Sequence, residues 1–510
     1  MDERNRIWPI AVLFAIYLVL ATVLPAVDDE FYYWCWSKDV QWSYFDHPPM
    51  SAVLMRLSTT LFGDTVFGFR FPACVSSAFV IYVISRLTPI KGFVWAVVLT
   101  PLFAIFAVVM TPDSPLIMCW AAYLWWLVEV HRRLTPTADE RRKSEVHVQI
   151  YSNAQLAETA QLVPDQSRTT SAALEQVQQP GIPQHWWFIG GVILGCGVLS
   201  KYTMGLAVPA GFLSFLFARR RWQEWLPGYV AHGVCAFVVA SPILIFNIGH
   251  DFEPLHFQWK HVAEKVPSSL RSLGDFVGVQ ILAFGTMPFF LFPWVCYHTR
   301  QLCRNPRLRV CVCLYALPLA FFVYKSTQSR LEANWALICF ISVWPLASEW
   351  YQSVRASQTW RWLTAAAFLP PLLSVIAIYT HMICPISIVP VRADRIHRQI
   401  AQNAAAREVE KKIREQGELL PVYTDTYQLT SLLRFQSLDA RQIFGLTRPS
   451  HFTRPPRRLT DVDRAYVVLE TPLPSEFSEG YPPPRLIADI PVVYRGQADR
   501  PYRIWLYSKD

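Results

Sequence analysis

A polar cluster rich in carboxylates and aromatics follows the first apolar run, at positions 28–49. Asp28-Asp29-Glu30 leads into Phe31-Tyr32-Tyr33-Trp34-Cys35-Trp36, and Trp42-Ser43-Tyr44-Phe45-Asp46-His47-Pro48-Pro49 follows. Three consecutive carboxylates at the end of an apolar run sit where the local field and partial desolvation raise a carboxylate's pKa toward general-base work. The plainer alternative is a solvated helix end followed by an aromatic belt at a membrane interface, and composition alone favours it. Recurrence shifts the balance. Asp113 lies in the next polar hairpin, Lys201-Tyr202 in the one after, His250-Asp251 through His261 in a fourth, and Lys325 through Asn334 in a fifth.

Lys201 stands between Gly195-Cys196-Gly197-Val198-Leu199-Ser200 and Tyr202-Thr203-Met204-Gly205. A lysine at a span end either snorkels to the interface or offers a point charge to a phosphate. The nearby Gly190, Gly191, Gly195 and Gly197 lie inside an apolar helix with no strand before them, which favours close helix packing over a nucleotide loop. Arg330 directly precedes an apolar run, where it can fork onto a phosphate or pair with Glu332. His256 belongs to a His-rich loop whose spacing matches no tight metal motif.

These residues need a scaffold, and the composition supplies one. The 510 residues are 53% hydrophobic and only 17% charged, against roughly 25% charged in soluble proteins. Apolar runs centre on residues 7–27, 65–86, 92–110, 114–130, 186–200, 203–218, 225–247, 273–297, 308–324, 335–349 and 362–383. The sequence therefore predicts a polytopic α-helical membrane protein of about eleven spans, its first run an uncleaved span rather than a signal peptide. Arginines and lysines crowd alternate loops, so the N-terminus is expected inside and the carboxylate-rich hairpins outside. The net charge of +9 then belongs mainly to inner loops and does not indicate nucleic acid. Residues 132–185 read as a long, flexible inner connection, and 384–510 as a small α/β domain outside the membrane. Strand-like pieces there fall at 421–424, 442–444, 465–469, 486–494 and 503–507, with a helix-like piece at 427–435. Most of the eleven cysteines read as small apolar core residues.

Asp29-Glu30-x-Tyr32-Tyr33-Trp34 and Tyr44-Phe45-Asp46-His47-Pro48-Pro49 closely resemble the bacterial protein O-mannosyltransferase-like branch of the GT-C glycosyltransferases. Thr111-Pro112-Asp113-Ser114-Pro115, Leu199-Ser200-Lys201-Tyr202-Thr203 and Arg330-x-Glu332-x-Asn334-Trp335 extend the resemblance in the same order. That branch includes the aminoarabinose and lipid A core galacturonosyltransferases. The resemblance implies inverting transfer of a sugar from a polyprenyl phosphate to a glycolipid, glycan or protein acceptor at the outer face of a bacterial inner membrane. It implies Asp29 as general base with Glu30 as its catalytic neighbour, and Lys201, Arg330, His256 and His47 on the donor phosphate. Tyr32, Tyr33, Asp46, Asp113, Tyr202, Glu332 and Asn334 would shape the sugar and acceptor pocket. In the aminoarabinose transferases of that branch a lysine occupies the place of His47, so a histidine here makes the charge at that point dependent on pH. No cofactor is required, although clustered acids permit a divalent cation.

A multi-pass lipid or solute transporter is the alternative reading. Transporters place ionisable groups near mid-membrane and often repeat their halves, whereas charge here gathers at span ends and no internal repeat is visible. A receptor merely anchored by its spans would not need so many.

Overall fold

A computed structural model describes residues 4–90, 94–135, 182–218, 220–263, 270–437, 442–446, 458–471 and 484–509. Residues 136–181, most of the expected inner connection, lie outside the described residues. The apolar runs fall on helices. Val66–Leu87 packs between Arg4–Val23 and Asp113–Leu134, Gln184–Ser200 runs against Leu226–Ile248, and Pro306–Ser326 pairs with Leu337–Val354. Gly190 and Gly195 sit where a β-carbon would strike the Trp126 ring and the Val239 side chain, so these glycines serve close helix packing.

The eleven expected runs are not all long, unbroken helices. Among the described residues four helices are long and apolar enough to cross a membrane: Val66–Leu87, Leu226–Ile248, Pro306–Ser326 and Gln358–Ile383. Counting each of two bent pairs as one span raises the number to six. The run at 273–297 is not one helix but two, Leu270–Phe284 and Met287–Leu302, bent by 109° at Gly285, whose φ of +80° no ordinary helix accommodates. The run at 92–110 breaks before Pro101, which opens its own short helix. Other helices are short, such as Gln184–Ser200 with 17 residues, about 26 Å at 1.5 Å per residue against about 30 Å of hydrocarbon. Leu226–Ile248 and Gln358–Ile383 bury only 28% and 11% of their apolar windows, so their bare faces suit lipid.

The chain then enters a small α/β domain. Helix Arg395–Glu415 precedes β1 (Val422–Thr424), helix Tyr427–Gln436, β2 (Ile443–Gly445), β3 (Arg464–Leu469), β4 (Arg485–Ile490), β5 (Val493–Tyr494), β6 (Gln497–Ala498) and β7 (Tyr502–Ser508). Five strands form one sheet in the order β2-β1-β3-β7-β4, parallel on the β2-β1-β3 side and antiparallel on the β3-β7-β4 side. The strand expected at 486–494 splits into β4 and β5. β5 turns back on β6 through Arg495 and Gly496, both at positive φ, the backbone of a two-residue type I′ hairpin.

Helix Asp28–Lys38 joins the two parts. Pro25 ends the first helix region by withholding a donor, Val27 is extended, and the new helix leaves at 93°. Residues Phe31 to Trp36 are each no more than 7% exposed. Phe31, Trp34 and Phe69 all pack on Phe435 of the C-terminal domain, with ring centroids 4.9, 5.0 and 5.8 Å away. The aromatic run is thus the core between two domains, not an interfacial belt.

Candidate active site

The bend before Asp28 is held by one buried ion pair. Arg70, completely buried in the first turns of Val66–Leu87, places Nε 2.7 Å from Glu30 Oε1 and Nη2 2.6 Å from Glu30 Oε2. Its remaining N–H groups donate to the carbonyls of Leu24 and Pro25, both at 2.8 Å. Glu30 also accepts from the Val27 N–H at 3.1 Å and the Met110 N–H at 3.0 Å. Both oxygens of Glu30 are therefore occupied within protein, and the role expected of it beside the base passes to positioning. Arg70 is not among the residues expected from the motifs, yet a lone arginine near the start of an apolar run is itself a signal that a partner exists.

Asp29, one residue earlier, faces the other way. It lines a cavity between its own helix and the C-terminal domain, and its carboxylate takes no hydrogen bond among the described residues. Protein nevertheless surrounds it on most sides. That burial, with the negative charges of Asp28, Glu332, Glu30 and Asp46, pushes its pKa up to about 6. A carboxylate there is ionised at neutral pH yet basic enough to accept a proton in a reaction. The acids in the first turn also lie at the positive end of the helix, which favours this placement.

On the far side of Tyr33 the expected residues converge. Lys201 breaks from its helix with extended backbone and sets Nζ 2.8 and 3.0 Å from the two oxygens of Asp113. Asn334, half-buried, donates to Asp113 Oδ2 at 2.8 Å and closes a trio drawn from three hairpins, in which Lys201 and Asp113 are buried. Lys201 is 8% exposed and does not snorkel. Asp113 begins its helix, so the positive helix end supports its charge as well. Tyr32 donates to Asp46 at 2.8 Å, and the ring of Tyr33 lies edge-on to His47 with centroids 6.0 Å apart. Burial, and then the field of Asp29 and Asp113, raise the Tyr33 phenol well above its usual pKa, so it stays protonated between the two sides. Burial and the nearby Lys201 ammonium push His47 down to about 4. His47 is therefore neutral near pH 7 and can offer a hydrogen bond to a phosphate, but not the variable charge expected of it.

The remaining candidates stand at the rim. Arg330 and Glu332 are exposed and form no ion pair with each other, and Tyr202 is half-buried beside Lys201. His256 is also exposed, but Gln258 on its helix donates to the Asp46 carbonyl at 2.6 Å and keeps that helix against the site. A separate His381, Asp394 and His397 group has ligand atoms within 4.8 Å of one another, close enough for a metal ion. Its valences are taken. The Ile386 N–H donates to His381 Nδ1 at 3.0 Å, which leaves the ring proton on Nε2 to meet Asp394. His397 and Arg495 pair with Asp394 Oδ2 at 3.0 and 2.9 Å. The group acts as a lock between the last membrane helix and the C-terminal domain.

The sequence matches the family Dolichyl-phosphate-mannose-protein mannosyltransferase over residues 46–137 and 168–246. It is 25% identical over 357 residues to the lipid A galacturonosyltransferase RgtD of Rhizobium johnstonii, an alignment covering 68% of this chain and 66% of that protein, just under two thirds of the relative's length. The fold is similar to ArnT of Cupriavidus metallidurans, with TM-scores of 0.60 for the apo structure and 0.62 for the structure bound to undecaprenyl phosphate. Identity to these is 12% and 13%, and each superposition covers 99% of this chain and 98% of the other. The fold is thus similar to that of ArnT, and the family match covers the segments that carry Asp46, Asp113 and Lys201.

Proposed function

We propose that the chain transfers a sugar from a polyprenyl-phosphate donor to a glycolipid acceptor with inversion at the anomeric carbon. The observation that carries this is Asp29, a carboxylate poised to take a proton, whose helix also bears Tyr33, a phenol that feels the charges of both Asp29 and Asp113 of the Lys201–Asp113–Asn334 trio. The acceptor hydroxyl attacks the anomeric carbon as its proton passes to Asp29. The bond from that carbon to the phosphate oxygen breaks on the opposite face, and the polyprenyl phosphate leaves as an anion. Lys201 and the exposed Arg330 provide the cationic clamp for it, with His47 and His256 as further phosphate contacts. Tyr32, Tyr33, Asp46, Asp113, Tyr202, Glu332 and Asn334 shape the pocket around the sugar. The leaving group is already a good one, so alignment, a base and charge stabilisation suffice and the scheme requires no cofactor.

The acceptor class is supported by the relative named for lipid A, and the donor class by the similar fold that binds undecaprenyl phosphate. The basic loops support an N-terminus inside the cell and a C-terminal domain outside. The full chain reconstituted in liposomes with undecaprenyl-phosphate galacturonate and lipid A should yield lipid A heavier by one sugar residue in mass spectrometry. Movement of the donor between leaflets without transfer would replace this reading with the transporter.

A further inference from the structure

We propose that the cavity between helix Asp28–Lys38 and the C-terminal domain is the acceptor subsite, where Arg395 binds an anionic group, phosphate or carboxylate, on the acceptor saccharide. The inference rests on the transferase reading and deepens it. The cavity measures about 610 Å3, within the range of about 300–1,000 Å3 that suits a small ligand. Arg395, Gln399 and Gln402 line one wall at spacings of four and three, successive turns of one helix face, and Asp28, Asp29 and Tyr427 line the other side. Carboxamides can both donate to and accept from sugar hydroxyls, and the Tyr427 ring offers an apolar face to a sugar ring.

Charge gives the cavity a direction. Arg398, one turn along, is committed to Asp499 by a two-point ion pair. Arg395 is exposed and makes no ion pair among the described residues, so its guanidinium is available to grip a phosphate or carboxylate at two points. Burial raises the pKa of Asp28, and the fields of Arg398 and Arg395 offset part of that rise. The third carboxyl of the wall, Glu470, is pushed up to about 7 by burial and by Asp425, so it repels an anion less than a full charge would. An anionic group is thus drawn to Arg395 and kept away from Asp29, which presents the other end of the saccharide, with its free hydroxyl, to the base. The lock at Asp394 caps the helix through the His397 N–H at 3.0 Å and fixes where Arg395 begins.

The test uses the full chain in lipid nanodiscs, with binding followed by tryptophan fluorescence and transfer followed separately. The probes are lipid A, its enzymatically dephosphorylated form, and a glycolipid carrying a uronate carboxylate. Arg395→Gln should weaken binding of the anionic probes by about tenfold, as loss of a charge-assisted pair does. It should leave dephosphorylated lipid A and the donor KM within about twofold, and Arg395→Lys should restore most of the loss. Dependence confined to lipid A names phosphate as the group, and dependence confined to the uronate probe names carboxylate. Wild-type transfer with unchanged anionic binding in Arg395→Gln overturns the subsite alone. Altered binding in a wild type that transfers no sugar overturns the transferase reading and leaves an anionic-glycolipid site.

Discussion

Glu30 gives both carboxylate oxygens to Arg70 and two backbone donors, while Asp29, its immediate neighbour, keeps its carboxylate open to a cavity. Two acids of nearly equal chemistry therefore do different work because successive helix positions point about 100° apart. Breaking a buried pair by removing one partner leaves the other charge stranded, which costs about 3–5 kcal/mol. Arg70→Met should accordingly lower the thermal unfolding temperature markedly, whereas Asp29→Asn should leave it nearly unchanged. A melting experiment on both variants separates positioning from chemistry. The pH profile supplies a second check. Asp29 must be deprotonated to accept a proton and its pKa is about 6, so the rate should be level above that value and fall as pH drops through it. A rate that falls only below about 4, the ordinary carboxylate range, would assign the base elsewhere. Lys201→Met should raise the donor KM at least tenfold, as expected for losing a charged hydrogen bond to phosphate; unchanged donor binding would leave Lys201 as Asp113's partner only.

Helix Asp28–Lys38 is the element on which both sides of the site depend. It is bent from the first helix by 93°, pinned from below by Arg70 and pressed from above by Phe435. Phe435→Ala should cost about 3–5 kcal/mol through the cavity it leaves, and should expose the C-terminal domain to limited proteolysis while membrane insertion continues. Much of this element was legible in the sequence: its carboxylates, its aromatics and its place after an apolar run. Its function as an interdomain core was not, because an aromatic run reads the same whether lipid headgroups or a second domain cover it. The C-terminal strands at 421–424 and 465–469 were legible as short apolar pieces between turn residues. The I′ hairpin at Arg495-Gly496 was not, since an arginine at positive φ follows no local preference and is held there by Asp394 and nearby carbonyls.

At the scale of the whole molecule, helices gather the residues of five separate polar segments at one end of a bundle. The order of motifs anticipated that gathering, and the alternation of basic loops anticipated which hairpins would share a face. The breaks at Gly285 and Pro101 were not legible, because apolar length alone cannot register an interruption within a run. The proposed mechanism draws base and clamp from protein side chains, so chelation with EDTA should leave the transfer rate within about twofold. Loss of activity restored by a divalent ion would bring a metal into the mechanism. The most direct measurement is transfer by Asp29→Asn beside wild type, in the same liposomes with undecaprenyl-phosphate galacturonate and lipid A, read by mass spectrometry. A fall of at least about a hundredfold, the usual worth of a general base, with donor binding and thermal stability retained, is the result expected. Wild-type transfer by the asparagine variant would contradict the assignment of Asp29 and with it the mechanism.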